Sequence, residues 1–354
     1  MGRPIEDVLE NARMIRESAS FVSEEGRLKE VRAARYSLPG FDRGEWQRIA
    51  GELGWLGLRV GEDAGGLGLG LSEFCALAET LGHGLQPAPW LQAVAVAPKL
   101  DGDTLASVLA GESIVLPAWQ EGPFDNAAAA QTVFDGATVT GRKSFVSMGM
   151  GADRFIVTTS KGLALVDAGQ GSVSRDPAML QDGTHHCEIA FDKAPATALR
   201  ADWGTTELEI VLTSAAYLQG VARRAFAITS EYLRTRKQFG QHIGSFQSLQ
   251  HRLVDLYVQI ELTEAVVARA AQSFDADPAA ADIAMQISRA KARASDAAML
   301  VTRQGVQLHG AIGFTDEADV GLFLRRAMVL AHAYGTPTAH RRKFSEVLKR
   351  EAAA

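Results

Sequence analysis

Apolar residues recur every three or four positions through the first third of the chain. Glu45-Trp-Gln-Arg-Ile-Ala-Gly-Glu-Leu53 and Ser72-Glu-Phe-Cys-Ala-Leu-Ala-Glu-Thr-Leu81 both carry such a stripe, which predicts two amphipathic helices. The glycine-rich run from Gly54 to Gly68 lies between them, ends the first helix and lets the chain turn. Near residue 113 the pattern changes. Val133-Phe-Asp-Gly-Ala-Thr-Val-Thr-Gly141 predicts a hairpin turning at Asp135-Gly136, and Arg154–Thr159, Leu163–Val166 and Cys187–Phe191 read as short strands. Strands with regular turn signals and no helix between them predict a small β-barrel or sandwich. Long helical stripes then return over Thr206–Arg236, Ser245–Ala271, Ala279–Leu308, Asp316–Ala331 and from His340 to the end. In the second of these, Phe246, Leu249, Leu253, Leu256, Tyr257 and Ile260 keep to one face. Long striped helices joined by short loops predict a four-helix bundle. The expected layout is α+β: a helical domain over 1–112, a β domain over 113–201 and a helical bundle over 202–354.

Composition narrows the class. A chain of 354 residues exceeds one small core. A hydrophobic content of 47% is that of a globular protein. The net charge of −6 offers no basic field for nucleic acid or an anionic membrane. Two cysteines, Cys75 and Cys187, make no disulfide framework, which fits a reducing cytoplasm. The first residues show no charged-then-apolar signal pattern, and no apolar run reaches the roughly 18 residues of a membrane span.

Two runs carry the chemistry. Arg236-Lys-Gln-Phe-Gly240 offers a guanidinium fork, a neutral donor in Gln238 and a turn glycine, with Gln247 a further donor nearby. Gln307-Leu-His-Gly-Ala-Ile-Gly313 offers glycines that expose amides at a helix end. Such a set suits an anionic pyrophosphate. Other patterns carry nothing. His185-His186-Cys187 places neighbours on opposite strand faces, which does not make a metal site. Gly66-Leu-Gly-Leu-Gly70 has no strand leading into it and the wrong spacing for a dinucleotide fingerprint.

Together the two runs resemble the carboxy-terminal signature of the acyl-CoA dehydrogenase family, and the likeness extends over nearly the whole chain from Gly54 onward. It implies FAD as cofactor, an acyl-CoA substrate and an electron-transfer flavoprotein as acceptor. It also implies that Arg236, Gln238, Phe239, Gly240, Gln247, Gln307 and Gly310 hold the FAD of a neighbouring subunit. The family often writes Gly-Gly where this chain has Gly310-Ala311. Lys143-Ser-Phe-Val-Ser147 matches the strand that faces the flavin ring, so Phe145 would pack on the ring and Ser147 would donate to its N5 edge. Thr336 joins the same cofactor set.

Two departures stand out. The family's Thr-Glu-Pro-Gly loop is replaced by Trp119-Gln-Glu-Gly-Pro-Phe-Asp-Asn126, in which Glu121 alone is retained. Tyr334 stands where the family places its catalytic glutamate, and a phenol titrating near 10 is a poor base at pH 7. Some relatives carry the glutamate at the start of the first long helix. Here that position is Ile210, with Glu209 one residue and about 100° away on a helix. More narrowly, the chain resembles the shorter subunit of two-subunit dehydrogenases. The implied partner is a homologous subunit carrying the glutamate. A self-sufficient homo-oligomer with an unrecognised base and a non-catalytic member of the fold are the alternatives.

Overall fold

The computed structural model describes residues 4–24, 26–122 and 130–353, with side chains to 346. Helices α1 (Ile5–Ser18), α2 (Arg27–Ala34), α3 (Arg43–Leu53), α4 (Leu71–His83), α5 (Trp90–Val96) and α6 (Gly102–Leu109) come first. The α3 stripe buries Trp46, Ile49 and Ala50, as its spacing requires. Asp42 caps α3 by accepting the Glu45 amide at 2.6 Å. Gly54 ends it in the left-handed conformation.

Strands β1 (Val115–Ala118), β2 (Val133–Phe134), β3 (Thr138–Ser147), β4 (Arg154–Thr159), β5 (Gly162–Asp167), β6 (Val173–Met179) and β7 (His185–Leu199) form one seven-stranded sheet in the order β1-β4-β5-β7-β3-β2, with β6 also on β7. The expected hairpin is β2–β3. The Asp135 carboxylate accepts the amides of Ala137 and Thr138 at 2.9 and 2.7 Å, and Gly136 takes a φ of +104°. Strand β7 is 15 residues long, far beyond the expected Cys187–Phe191. His185, Cys187, Ile189 and Phe191 all point inward, at the period of two that a half-buried strand needs.

The second helical part holds α7 (Thr206–Thr235), the short strands β8 (Lys237–Gln238) and β9 (Gln241–His242), then α8 (Gln247–Ala276), α9 (Ile283–His309), α10 (Val320–Leu330) and α11 (Pro337–Ala353). Helix α10 starts later than the stripe from Asp316 implies, and α11 starts earlier than His340. The Thr336 hydroxyl accepts the Ala339 amide at 3.1 Å. Pro337 then fills the first position of α11, where a missing amide costs nothing. No helix among the described residues is long and apolar enough to cross a membrane.

The chain divides into two compact units. One gathers residues 1–33, 71–86 and 211–354, the other residues 34–70 and 87–210. In the second, Trp46 stacks on Trp90 at 3.8 Å and Trp55 meets Trp90 edge-on at 5.1 Å, so one aromatic cluster fills the core beside the sheet. In the first, α9 is the axis. Its alanine-rich buried face packs against α8, α10 and α11. Helix α4 packs on α1 and α8, and Asp275 of α8 accepts the Leu71 and Ser72 amides at 2.6 and 2.9 Å, capping α4 from outside.

Helices α4 and α7 touch backbone to backbone. A Cβ on Gly220 would lie 1.9 Å from the Glu79 carbonyl oxygen and 2.8 Å from the His83 amide. Gly220→Ala is expected to cost about 1–3 kcal/mol by overpacking, although alanine favours helices intrinsically by about 1 kcal/mol. Gly51→Ala, where nothing lies within 4 Å, is expected to be neutral or stabilising. Chemical denaturation of both variants checks the pair. A Gly220→Ala protein as stable as the parent would contradict the close crossing.

Candidate cofactor site

The Arg236–Gly240 run is a hairpin. Arg236 closes α7 by donating its amide to the Tyr232 carbonyl at 2.9 Å. Lys237 then pairs with His242, and Gln238 with Gln241. Phe239 and Gly240 form the two-residue turn with φ of +53° and +83°. Both signs match the turn that twists with an antiparallel pair. A Cβ on Gly240 would meet nothing within 4 Å, so the glycine serves the dihedral rather than a close approach. Phenylalanine is an unusual residue at positive φ. The residue is 90% exposed, with its ring edge-on to Phe246 at 6.3 Å. Such local strain concentrates at functional sites.

The second run lies at the end of α9. Gly310 takes φ +67° and ψ −143°, a conformation that stops the helix and that a side chain would resist. Gly313 has another reason: a Cβ there would lie 2.5 Å from the Val306 carbonyl oxygen, so its role is packing. One clasp joins the runs. The His309 ring lies on the Tyr232 ring at 4.4 Å and 22°. The Tyr232 hydroxyl donates to the His309 carbonyl at 3.2 Å. The His309 Nδ1 sits 2.7 Å from the Gly305 carbonyl.

Between the runs opens a cavity of about 630 Å³. Arg236, Gln238 and Phe239 line one side and Gln307, Gly310, Ala311 and Ile312 the other. Ile243, Phe246, Leu249 and Arg252 add to the wall, as do Tyr232, Leu308 and His309, and no Asp or Glu is among the described residues that line it. Gln247, the first residue of α8, lies outside the lining. Arg252 was not among the sequence candidates. Its signal was its place three residues after Leu249, on the same helix face. Two cations, two amides, apolar rings and no carboxylate fit the diphosphate and adenosine portion of a dinucleotide.

The other predicted cofactor residues lie in the unit that holds the sheet. Phe145 has φ +57° and sits beside a bulge in β3 where Lys143 pairs with Ile189 and Val146 with Cys187. Its ring is 39% exposed and stands edge-on to His186 at 6.2 Å. Val146 is buried, while Phe145 and Ser147 flank it on the other face. Lys143 is wholly buried and donates to Glu121 at 2.6 Å and Thr158 at 3.1 Å. Burial pushes the Glu121 carboxyl up, but hydrogen bonds from Lys143, Thr132 and Gln131 outweigh it and hold it at about 2. Glu121, the retained acid of its loop, is thus a permanent anchor. Residues 123–126 of that loop lie outside the described residues.

Glu209 and Tyr334 are the residues nearest the two expected glutamate positions. Glu209 is nearly buried, paired with Arg59 at 3.1 Å and accepting from the Thr205 hydroxyl at 3.3 Å. Tyr334 and Gly335 form a turn with φ of +60° and +110°, and the Tyr334 carbonyl accepts from His340 Nε2 at 3.1 Å. Burial, then Lys291 and Lys343, push His340 down to about 4, so it clamps the turn as a neutral ring. No Asp or Glu occurs from residue 331 to 339. The His185–Cys187 run holds no metal arrangement: His185 accepts the Met150 amide at 3.2 Å, and no three-residue ligand group occurs among the described residues.

Comparison with known proteins agrees with this architecture. The acyl-CoA dehydrogenase N-terminal domain matches residues 10–101 and the acyl-CoA dehydrogenase C-terminal domain matches residues 212–349. The chain belongs to the acyl-CoA dehydrogenase family. It is 30% identical over 335 residues to the acyl-CoA dehydrogenase IpdE2 of Mycolicibacterium smegmatis, covering 94% of this chain and 97% of that protein. Among solved structures it is similar to a variant of the Tcur3481–Tcur3483 steroid ACAD, with a TM-score of 0.85, 28% identity and 99% of each chain covered. The ChsE4–ChsE5 complex from Mycobacterium tuberculosis shares the fold, with a TM-score of 0.84, 24% identity and 98% of each chain covered.

Near the Tyr334 turn, the wholly buried Lys291 amine donates to the last carbonyl of α10, Leu330, at 2.6 Å. Burial, then the Arg326 guanidinium, lowers this amine from 10.5 to about 7. Between those two pH values the unfolded chain binds the proton more readily, so stability rises with pH through that window. Lys291→Met should flatten the rise by up to about 1.4 kcal/mol per pH unit. Chemical denaturation at two pH values inside the window measures it. An unchanged slope in the variant would contradict the buried, proton-shedding amine.

Proposed function

We propose that this chain is the flavin-completing subunit of a hetero-oligomeric, FAD-dependent acyl-CoA dehydrogenase that introduces an α,β double bond into a CoA thioester. The observation that carries the reading is a hairpin of exposed residues beside a cavity with no Asp or Glu among its described lining residues, combined with the lack of Asp and Glu over residues 331–339. Bound FAD supplies the oxidant of the desaturation. Of this chain's residues, Arg236 sets a guanidinium fork against the pyrophosphate, and Gln238 and Gln307 donate beside it. Phe239 packs on the cofactor of the neighbouring subunit, with Gly310 leaving backbone amides open to it. Phe145 and Ser147 would face the flavin ring, and Thr336, whose hydroxyl caps α11, would join the same set. Two of the similar structures bear the names of protein pairs, which supports a partner of the same fold. The likeness to a steroid ACAD favours a steroid side-chain thioester among the substrates. An electron-transfer flavoprotein is the proposed acceptor and the cytoplasm the proposed compartment.

The partner's glutamate takes the α-proton in this scheme. A positioned base contributes roughly 10²–10⁴-fold. In a complex with a co-expressed homologue that carries the glutamate, Tyr334→Phe should leave turnover within about tenfold of the parent. Substitution of the partner's glutamate should abolish it. A collapse of turnover in Tyr334→Phe, with flavin content and assembly unchanged, would place the base in this chain and favour a self-sufficient homo-oligomer.

A further inference from the structure

The cavity between the β8–β9 hairpin and the end of α9 is lined by two arginines where the sequence motifs account for one. Arg236 comes from the base of the hairpin and Arg252 from α8. Neither makes an ion pair among the described residues, whereas the adjacent Arg234 lies 3.8 Å from Glu231. Both side chains belong to exposed residues. The Arg252 charge is not explained by its helix, because a cation close to the amino end of α8 gains nothing from the helix dipole. Asp255, one turn further on, does not pair with it. Two like charges facing one space with no carboxylate in its wall call for an anion, and a doubly charged one balances them. The planar fork of each guanidinium matches the oxygens of a phosphate.

We propose that Arg252 is a second cation for the diphosphate of an adenine dinucleotide in this cavity, acting together with Arg236. The proposal rests on reading the cavity as the cofactor site. It adds a residue from α8, outside both motifs. Leu249, on the same face of α8, gives the adenosine portion an apolar wall beside the charged one.

The full chain is titrated with ADP and with adenosine, by calorimetry, as the parent and as Arg236→Gln and Arg252→Gln. Thermal melting confirms that both variants are folded. Each substitution is expected to weaken ADP about tenfold or more, the scale of one charge-assisted hydrogen bond, and to leave adenosine unchanged. FAD retention by the complex at limiting FAD should fall in the same order. ADP binding lost in Arg236→Gln and retained within about twofold in Arg252→Gln would overturn the proposal and leave the cofactor reading intact. Unchanged ADP binding and unchanged FAD retention in both variants would overturn both. No ADP binding by the parent, with FAD retention by the complex indifferent to Arg252→Gln, would also overturn the proposal.

Discussion

The stacking of His309 on Tyr232 is the contact on which the candidate site depends. Tyr232 lies one turn before the first motif and His309 within the second, and neither motif has a shape of its own. The Arg236–Gly240 run is a two-residue turn on two-residue strands, and the Gln307–Gly313 run is a helix end followed by a 3-10 turn. Isolated hairpins of this size are marginal in water. Anchored at 4.4 Å by paired rings and by the Tyr232 hydroxyl, the two runs wall a single cavity. The strain of Phe239 at positive φ is tolerated because the hairpin is fixed at its base.

The same economy of contacts holds the positions around Tyr334. Lys291 ends α10 and His340 clamps Tyr334, so the turn is rigid without any acid in it. Glu209 is bound to Arg59 and Glu121 to Lys143. Both acids are thus held in ion pairs with cations of their own unit. Under the proposed function, a chain so arranged would complete a flavin site and leave proton removal to a neighbour.

Much of this was legible in the chain. Stripes at spacing three and four gave α3, α4, α7, α8 and α9 their places, and Asp135-Gly136 announced the β2–β3 turn. The strands that escaped notice contain proline: Pro117 in β1 and Pro177 in β6 demote a run that lacks strict alternation. The β8–β9 hairpin was hidden because its turn is Phe-Gly rather than Asn-Gly. The start of α11 was missed by three residues: Thr336-Pro337, a cap followed by proline, marks it ahead of the expected His340. What no local pattern holds is distance in the fold. The capping of α4 by Asp275, the burial of Lys143 and Lys291, and the place of Arg252 in the cavity wall all arise from packing between segments far apart in the chain. Arg252 in particular looks like any solvated cation until α8 is set against the hairpin.

The central claim is that this chain completes a flavin site it does not own. Flavin absorbance against protein mass, measured on the purified chain and on its complex with the glutamate-bearing homologue, tests it most directly. The account predicts a chain poor in FAD when alone and a complex holding one FAD for each pair of unlike chains. One tightly held FAD per chain in the solitary protein would contradict it.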